Sequence, residues 1–95
     1  MAQDTQLKLD DVPIISSGFR LQWEPAQQAH VLLYPEGMVK LSQSAAEIMK
    51  RVDGAATVAA IVTGLEQSFP GADLRADVIA FLGVARERGW IGTKA

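Results

Sequence analysis

One histidine, eleven carboxylates and no cysteine are the whole stock from which this 95-residue chain could build acid–base, nucleophilic or metal chemistry. His30 stands beside Ala29 at the entrance to the apolar run Val31-Leu32-Leu33, which suits a strand-edge or turn residue better than a ligand or general base. The carboxylates are spread over prospective helix starts and loops. Asp53, Asp73 and Glu47 already have capping or turn roles there, so no pair is singled out for general acid and base work. H-E-x-x-H, a Gly-rich phosphate loop and G-x-S-x-G are all absent. Lack of cysteine also excludes a disulfide framework, thiolate metal sites and a thiol nucleophile. The inventory argues against catalysis.

What the chain offers instead is main-chain chemistry. His30 to Leu41 reads as two short strands joined by the turn Tyr34-Pro35-Glu36-Gly37, and Ser44 to Met49 follows as a helix. A strand at a sheet edge carries unpaired N–H and C=O groups, and a helix beside it supplies side-chain pockets. That geometry suits gripping an extended peptide.

The elements that must position such a grip follow from periodicity. Phe19, Leu21 and Trp23 alternate with Arg20, Gln22 and Glu24, the period of two of a strand with one inward face, and Pro25 ends it. With residues 29 to 34 and Met38 to Leu41 this predicts a small three-stranded antiparallel sheet. Ser44-x-x-Glu47 matches a capping box, with Ser42 as the alternative cap, for a first helix running to about Val52 and stopped by Asp53-Gly54. Thr57 caps a second helix bearing Val58, Ile61, Val62 and Leu65, closed by Pro70-Gly71. Asp73 can cap a third, with the stripe Leu74, Val78, Phe81, Leu82 and Ala85, cations Arg86 and Arg88 in its last turn, and Gly89 as its stop. Trp90 and Ile91 form a short apolar return, and Trp23 and Trp90 are expected in the core. Residues 1 to 15 read as a flexible N-terminal tail, because they mix Gln, Asp and Lys with isolated apolar residues and Pro13 bars a helix. Residues 16 to 95 then form one α+β domain, small and winged helix-turn-helix-like, with three strands followed by three helices.

Length leaves no room for a second domain but suffices for one modest core. The start of the chain is acidic and lacks the basic and apolar segments of a secretory signal, and no run approaches the roughly 20 apolar residues of a membrane span, so the expectation is a cytoplasmic protein with no membrane partner. A net charge of −2 argues against nucleic acid.

Two binding classes remain to be weighed. A winged-helix DNA-binding regulator lays its third helix in the major groove, but here Arg75 is interleaved with Asp73, Asp77 and Glu87, and Arg86 and Arg88 stand at the far end. The peptide reading instead uses Met38 to Leu41 as one wall. The third helix forms the other, with Arg75, Ile79, Leu82 and Arg86 in a row suited to acidic and hydrophobic side chains. Ile79 packing on the sheet is the alternative.

Gly18-Phe19-Arg20-Leu21-Gln22-Trp23-Glu24, Val31-Leu32-Leu33-Tyr34-Pro35-Glu36-Gly37, Lys40-Leu41, Ala45-Ala46-Glu47-Ile48, Asp53-Gly54, Phe81-Leu82 and Gly89-Trp90-Ile91 together resemble the pyrroloquinoline quinone (PQQ) biosynthesis protein D family, PqqD. The likeness covers nearly the whole chain after the tail, and Leu-Leu-Tyr-Pro-Glu-Gly is its specific part. Ser42 stands where that pattern has an asparagine, and serine caps comparably well. The resemblance implies a small non-catalytic peptide chaperone, a recognition element for ribosomally made, modified peptides. It implies binding of the cofactor's precursor peptide (PqqA type) by strand addition and presentation to the radical S-adenosylmethionine (SAM) crosslinking enzyme (PqqE type). By position, the peptide-binding residues are Met38, Val39, Lys40 and Leu41 on the strand and Arg75, Ile79, Leu82 and Arg86 on the helix. No cofactor, metal or catalytic residue is expected in the chain itself. Either a monomer or a strand-paired or strand-exchanged dimer is compatible with an open edge. On this reading Val39→Pro removes a strand amide donor and weakens binding, whereas Lys50→Ala does not.

Overall fold

Strand, hairpin and helix signals resolve, in the computed structural model, into eight elements among the described residues. The structure describes residues 6–94. They are β1 (Pro13–Ile15), β2 (Arg20–Glu24), β3 (Ala29–Tyr34), β4 (Gly37–Lys40), α1 (Gln43–Met49), α2 (Val58–Ser68), α3 (Arg75–Glu87) and β5 (Ile91–Thr93). β2, β3 and β4 form the expected antiparallel sheet in that spatial order, and β1 pairs with β5 in a second, two-stranded sheet. The domain is therefore α+β, a three-stranded wing followed by three helices.

The period of two in β2 sets which face is buried. Leu21, Leu32 and Val39 stand opposite one another across the three strands, as do Trp23 and His30. Leu32 belongs to the main core cluster, and Phe19, Leu21 and Val39 pack against it. Trp23 departs from expectation: it is 51% exposed, with its ring edge-on to His30 at 5.2 Å. At this end of the sheet the apolar row outruns the cover that the helices provide. Trp90 is partly buried as expected, packed on the core with Phe81 beside it at 6.5 Å and the Arg88 guanidinium 5.5 Å over its ring.

Helix starts are settled by hydrogen bonds. Ser42, not Ser44, caps α1: the Ala45 N–H donates to its Oγ at 3.1 Å, and the helix ends at Met49, short of Val52. Glu47 is thereby released from a capping box. Its carboxylate takes Lys50 Nζ at 2.6 Å and Arg51 Nη1 at 3.2 Å, and Arg51 Nη2 reaches Ser68 Oγ at 3.1 Å, tying α1 to the end of α2. Thr57 caps α2 as expected, accepting from Ala60 N–H at 3.1 Å. Asp73 does not cap α3. The N–H of Leu74 donates across to Glu66 Oε2 at 2.9 Å instead, so the second helix supplies the third helix's missing acceptor. Between α1 and α2 the chain reverses at Asp53-Gly54, where Gly54 takes φ 76°, a left-handed conformation that a side chain resists. A Cβ there would stand 3.3 Å from Ile14 Cδ1, which would have to give by a few tenths of an ångström, so the backbone conformation is the stronger demand for glycine.

The stretch expected as a loose tail is held from residue 7 onward. Leu7 is 2% exposed and part of the main core, and Pro13 is buried. Val58 N–H donates to Asp11 O and Ala59 N–H to Leu9 O, each at 2.9 Å, so two orphan donors of α2 are satisfied by this segment. β1 then pairs Pro13 with Thr93 and Ile15 with Ile91. Leu7 in the core, with Leu9 and Ile15 packed against it, anchors the segment, whereas Ile14 stays 42% exposed. Of the expected tail, residues 1 to 5 lie outside the described residues.

Candidate functional site

The wing's hydrogen-bond register decides what its edge can offer. β4 pairs Leu32 with Val39 and Tyr34 with Gly37, and just beyond the strand the Leu41 N–H donates to His30 O at 3.0 Å. Bonded and non-bonded pairs alternate along an antiparallel ladder. Leu41, Val39 and Gly37 therefore turn their main-chain groups inward to β3, while those of Met38 and Lys40 point outward. β4 is an edge of its sheet, so these outward groups face no further strand. The consequence corrects the role of Val39: its amide belongs to the wing's own ladder, and the free strand donors are Met38 and Lys40.

Past Leu41 the edge leads directly into α1, and there a groove of about 750 Å³ opens between the first turn of α1 and α3. Its apolar surface comes from Ile48, Phe69, Leu74, Val78 and Phe81, with Ser42 to Ala45 forming the wall nearest the strand. Phe69 is 45% exposed and adds to the groove's apolar surface. The charged residues lining the groove are Glu47 and Asp77. Lys50 first, then Arg51, hydrogen-bond to Glu47 and hold its carboxyl below the usual glutamate range. A smaller recess of about 390 Å³ lies on the other side of α1, between Trp23, His30, Leu41 and Lys50.

The residues expected at the site divide accordingly. Met38 is 45% exposed and Lys40 is exposed, both on the free edge, whereas Val39 faces the core and Leu41 is buried. On α3, Leu82 is 0% exposed and lies in the main core, so it cannot line a groove. At 100° per residue Arg75, Ile79 and Arg86 fall on the flank of α3 away from Asp77 and Phe81. Ile79 is partly buried and packs against the core cluster. The groove found here contains none of Arg75, Ile79, Leu82 or Arg86. The helical wall facing it is Leu74, Asp77, Val78 and Phe81, one third of a turn from the row that spacing alone suggested. Phe69 and Ser42 to Ala45 were also missed; the exposed Phe-Pro-Gly at 69 to 71 was the available signal.

No group of three or more His, Cys, Asp or Glu residues among the described residues could hold a metal ion. No helix of the described residues is long and apolar enough to cross a membrane. The arrangement can bind: it offers main-chain hydrogen bonds on β4 and an apolar groove where β4 runs into α1.

Comparison with known proteins agrees on one family. The family model for coenzyme PQQ synthesis protein D (PqqD) matches residues 29–91. A protein of Azotobacter vinelandii named PqqA binding protein is 57% identical over 88 residues, covering 92% of this chain and 96% of that one. A protein of the same name from Acinetobacter baylyi is 43% identical over 96 residues, covering 96% and 97%. Among solved structures, the solution NMR structure of the PqqD truncation of Methylobacterium extorquens PqqCD superposes with a TM-score of 0.80 at 29% identity, covering 96% of this chain and 99% of that one. That protein is described as a functional, stand-alone recognition element for ribosomally synthesized and post-translationally modified peptides.

Proposed function

The chain belongs to the PqqD family, and from that premise we propose that it is a non-catalytic peptide chaperone of PQQ biosynthesis which binds a PqqA-type precursor peptide. The observation that carries this reading is the outward-facing main chain of Met38 and Lys40 on an edge strand that leads into an apolar groove. An extended peptide zips onto β4 by main-chain hydrogen bonds, and its side chains at alternate positions settle toward Phe81, Phe69 and Leu74. The curated relatives are named for binding PqqA, which supports the same partner.

Delivery follows from holding. A bound precursor is presented at high effective concentration and in one orientation to a PqqE-type radical SAM enzyme, which carries out the crosslinking in the cytoplasm where the peptide is made. The protein contributes position and the enzyme contributes chemistry.

The test is a titration of the isotope-labelled protein with precursor peptide in the absence of the enzyme. Amide shifts are expected at 38 to 42 and around Phe81, with smaller changes on the opposite edge strand, residues 20 to 24. Unmoved signals at 38 to 42 in the presence of saturating peptide refute strand addition at β4.

A further inference from the structure

The charged lining of the groove is of one sign. Glu47 and Asp77 both border it, and no lysine or arginine does. Glu47 is already neutralised by Lys50 and Arg51. Asp77 is different: it is exposed, and its carboxylate makes no hydrogen bond or ion pair with any described residue. It sits four residues before Phe81, so the two side chains are neighbours on one face of α3.

We propose that Asp77 is a specificity-determining residue of the groove, reading a lysine or arginine of the bound peptide whose apolar neighbour seats against Phe81. This rests on the peptide-binding reading above and names the chemistry of the segment selected: extended, apolar and cationic, not acidic. In a strand the side chains at positions i and i+2 share a face. One cation and one apolar residue two positions apart are therefore presented together, matching a carboxylate and a phenyl ring on adjacent turns. The bond is charge-assisted but exposed, so its effect on affinity is modest and it screens with salt. Its larger effect is selection, because an acidic side chain at that position meets a like charge with no cation to relieve it.

The experiment measures calorimetric affinity of the full chain for a PqqA-type precursor peptide and for a series in which each lysine or arginine is replaced singly by glutamine or glutamate. Asp77→Asn is expected to weaken binding about three- to five-fold at low salt, Asp77→Glu to retain it, and Asp10→Asn, which removes the same charge elsewhere, to leave it unchanged. One peptide position should lose its cation preference in Asp77→Asn, and Asp77→Lys should prefer glutamate there. Thermal melts of each variant separate binding from stability. Equal affinity of wild type, Asp77→Asn and Asp77→Lys for every peptide overturns the proposal and leaves the peptide-binding reading intact, provided Lys40→Pro weakens binding about tenfold or more. Absence of precursor binding to the wild-type chain removes both.

Discussion

Leu41 donates its backbone N–H to the carbonyl of His30 at 3.0 Å, one residue past the end of β4, and this bond fixes which amides of the edge strand are spent and which are free. Proline substitutions at neighbouring positions should therefore behave oppositely. Lys40→Pro removes an outward N–H, so the thermal midpoint should hold within a few degrees while precursor affinity falls by about tenfold or more. Val39→Pro removes an inward N–H from the ladder to Leu32, leaving its carbonyl unpaired, and should lower stability by about 1–3 kcal/mol. Calorimetry and circular dichroism on the pair decide it; loss of stability in Lys40→Pro with retained binding would reverse the register.

Neighbouring residues on α3 should also separate folding from recognition. Leu82 is fully buried, and Leu82→Ala should cost about 2–5 kcal/mol of stability through the cavity it leaves. Phe81 is only partly buried and faces the groove, so Phe81→Ala should weaken peptide binding by about tenfold. Denaturant melts beside peptide titrations distinguish the two. A Leu82→Ala protein that is stable yet fails to bind would put Leu82 back in the site.

This pair also marks where sequence reading reached and where it stopped. Alternation in Phe19 to Trp23 and the Pro35-Glu36 turn act over a few residues, so the wing was legible from local pattern alone. Thr57 was legible for the same reason, since a cap is a contact three residues long. The helical wall was not, because a third of a turn separates Phe81 from Leu82 and both are apolar; which one is buried depends on where α2 and β5 lie. Asp73 lost its cap to Glu66, seven residues earlier on another helix. β1 and β5 are each three residues long and come from opposite ends of the chain, and nothing local to either announces the other.

Acid should weaken the fold through two carboxylates. Hydrogen bonds from Lys50 and Arg51 lower the Glu47 pKa below 4.5, and those from the Ala56 and Ala55 amides, at 2.8 and 2.9 Å, lower that of Asp53 below 3.8. A folded-state pKa below the unfolded one means stability that is fully present above the unfolded value and lost as pH falls through the folded one. The thermal midpoint should be flat above about pH 5 and fall from about pH 4.5 downward. Glu47→Gln and Asp53→Asn should each flatten that acid limb. An unchanged slope in the double variant would assign acid sensitivity to other groups.

The N-terminal segment should prove structural. Leu7 fills a core position, the Asp11 and Leu9 carbonyls accept from the first amides of α2, and the Lys94 N–H donates to Val12 O at 2.8 Å. Removing residues 1 to 15 thus takes away a buried side chain, two helix-end acceptors and the whole partner of β5. Leu7→Ala alone is expected to cost about 2–3 kcal/mol, a large share of the total for a domain of this size, which is on the order of 5–10 kcal/mol. The truncated chain, begun at Ser16, should lack a cooperative thermal transition. A chain begun at Ser16 that melts at the full-length midpoint would show that the wing and helices fold without the β1–β5 clasp, and would return the segment to the status of a tail.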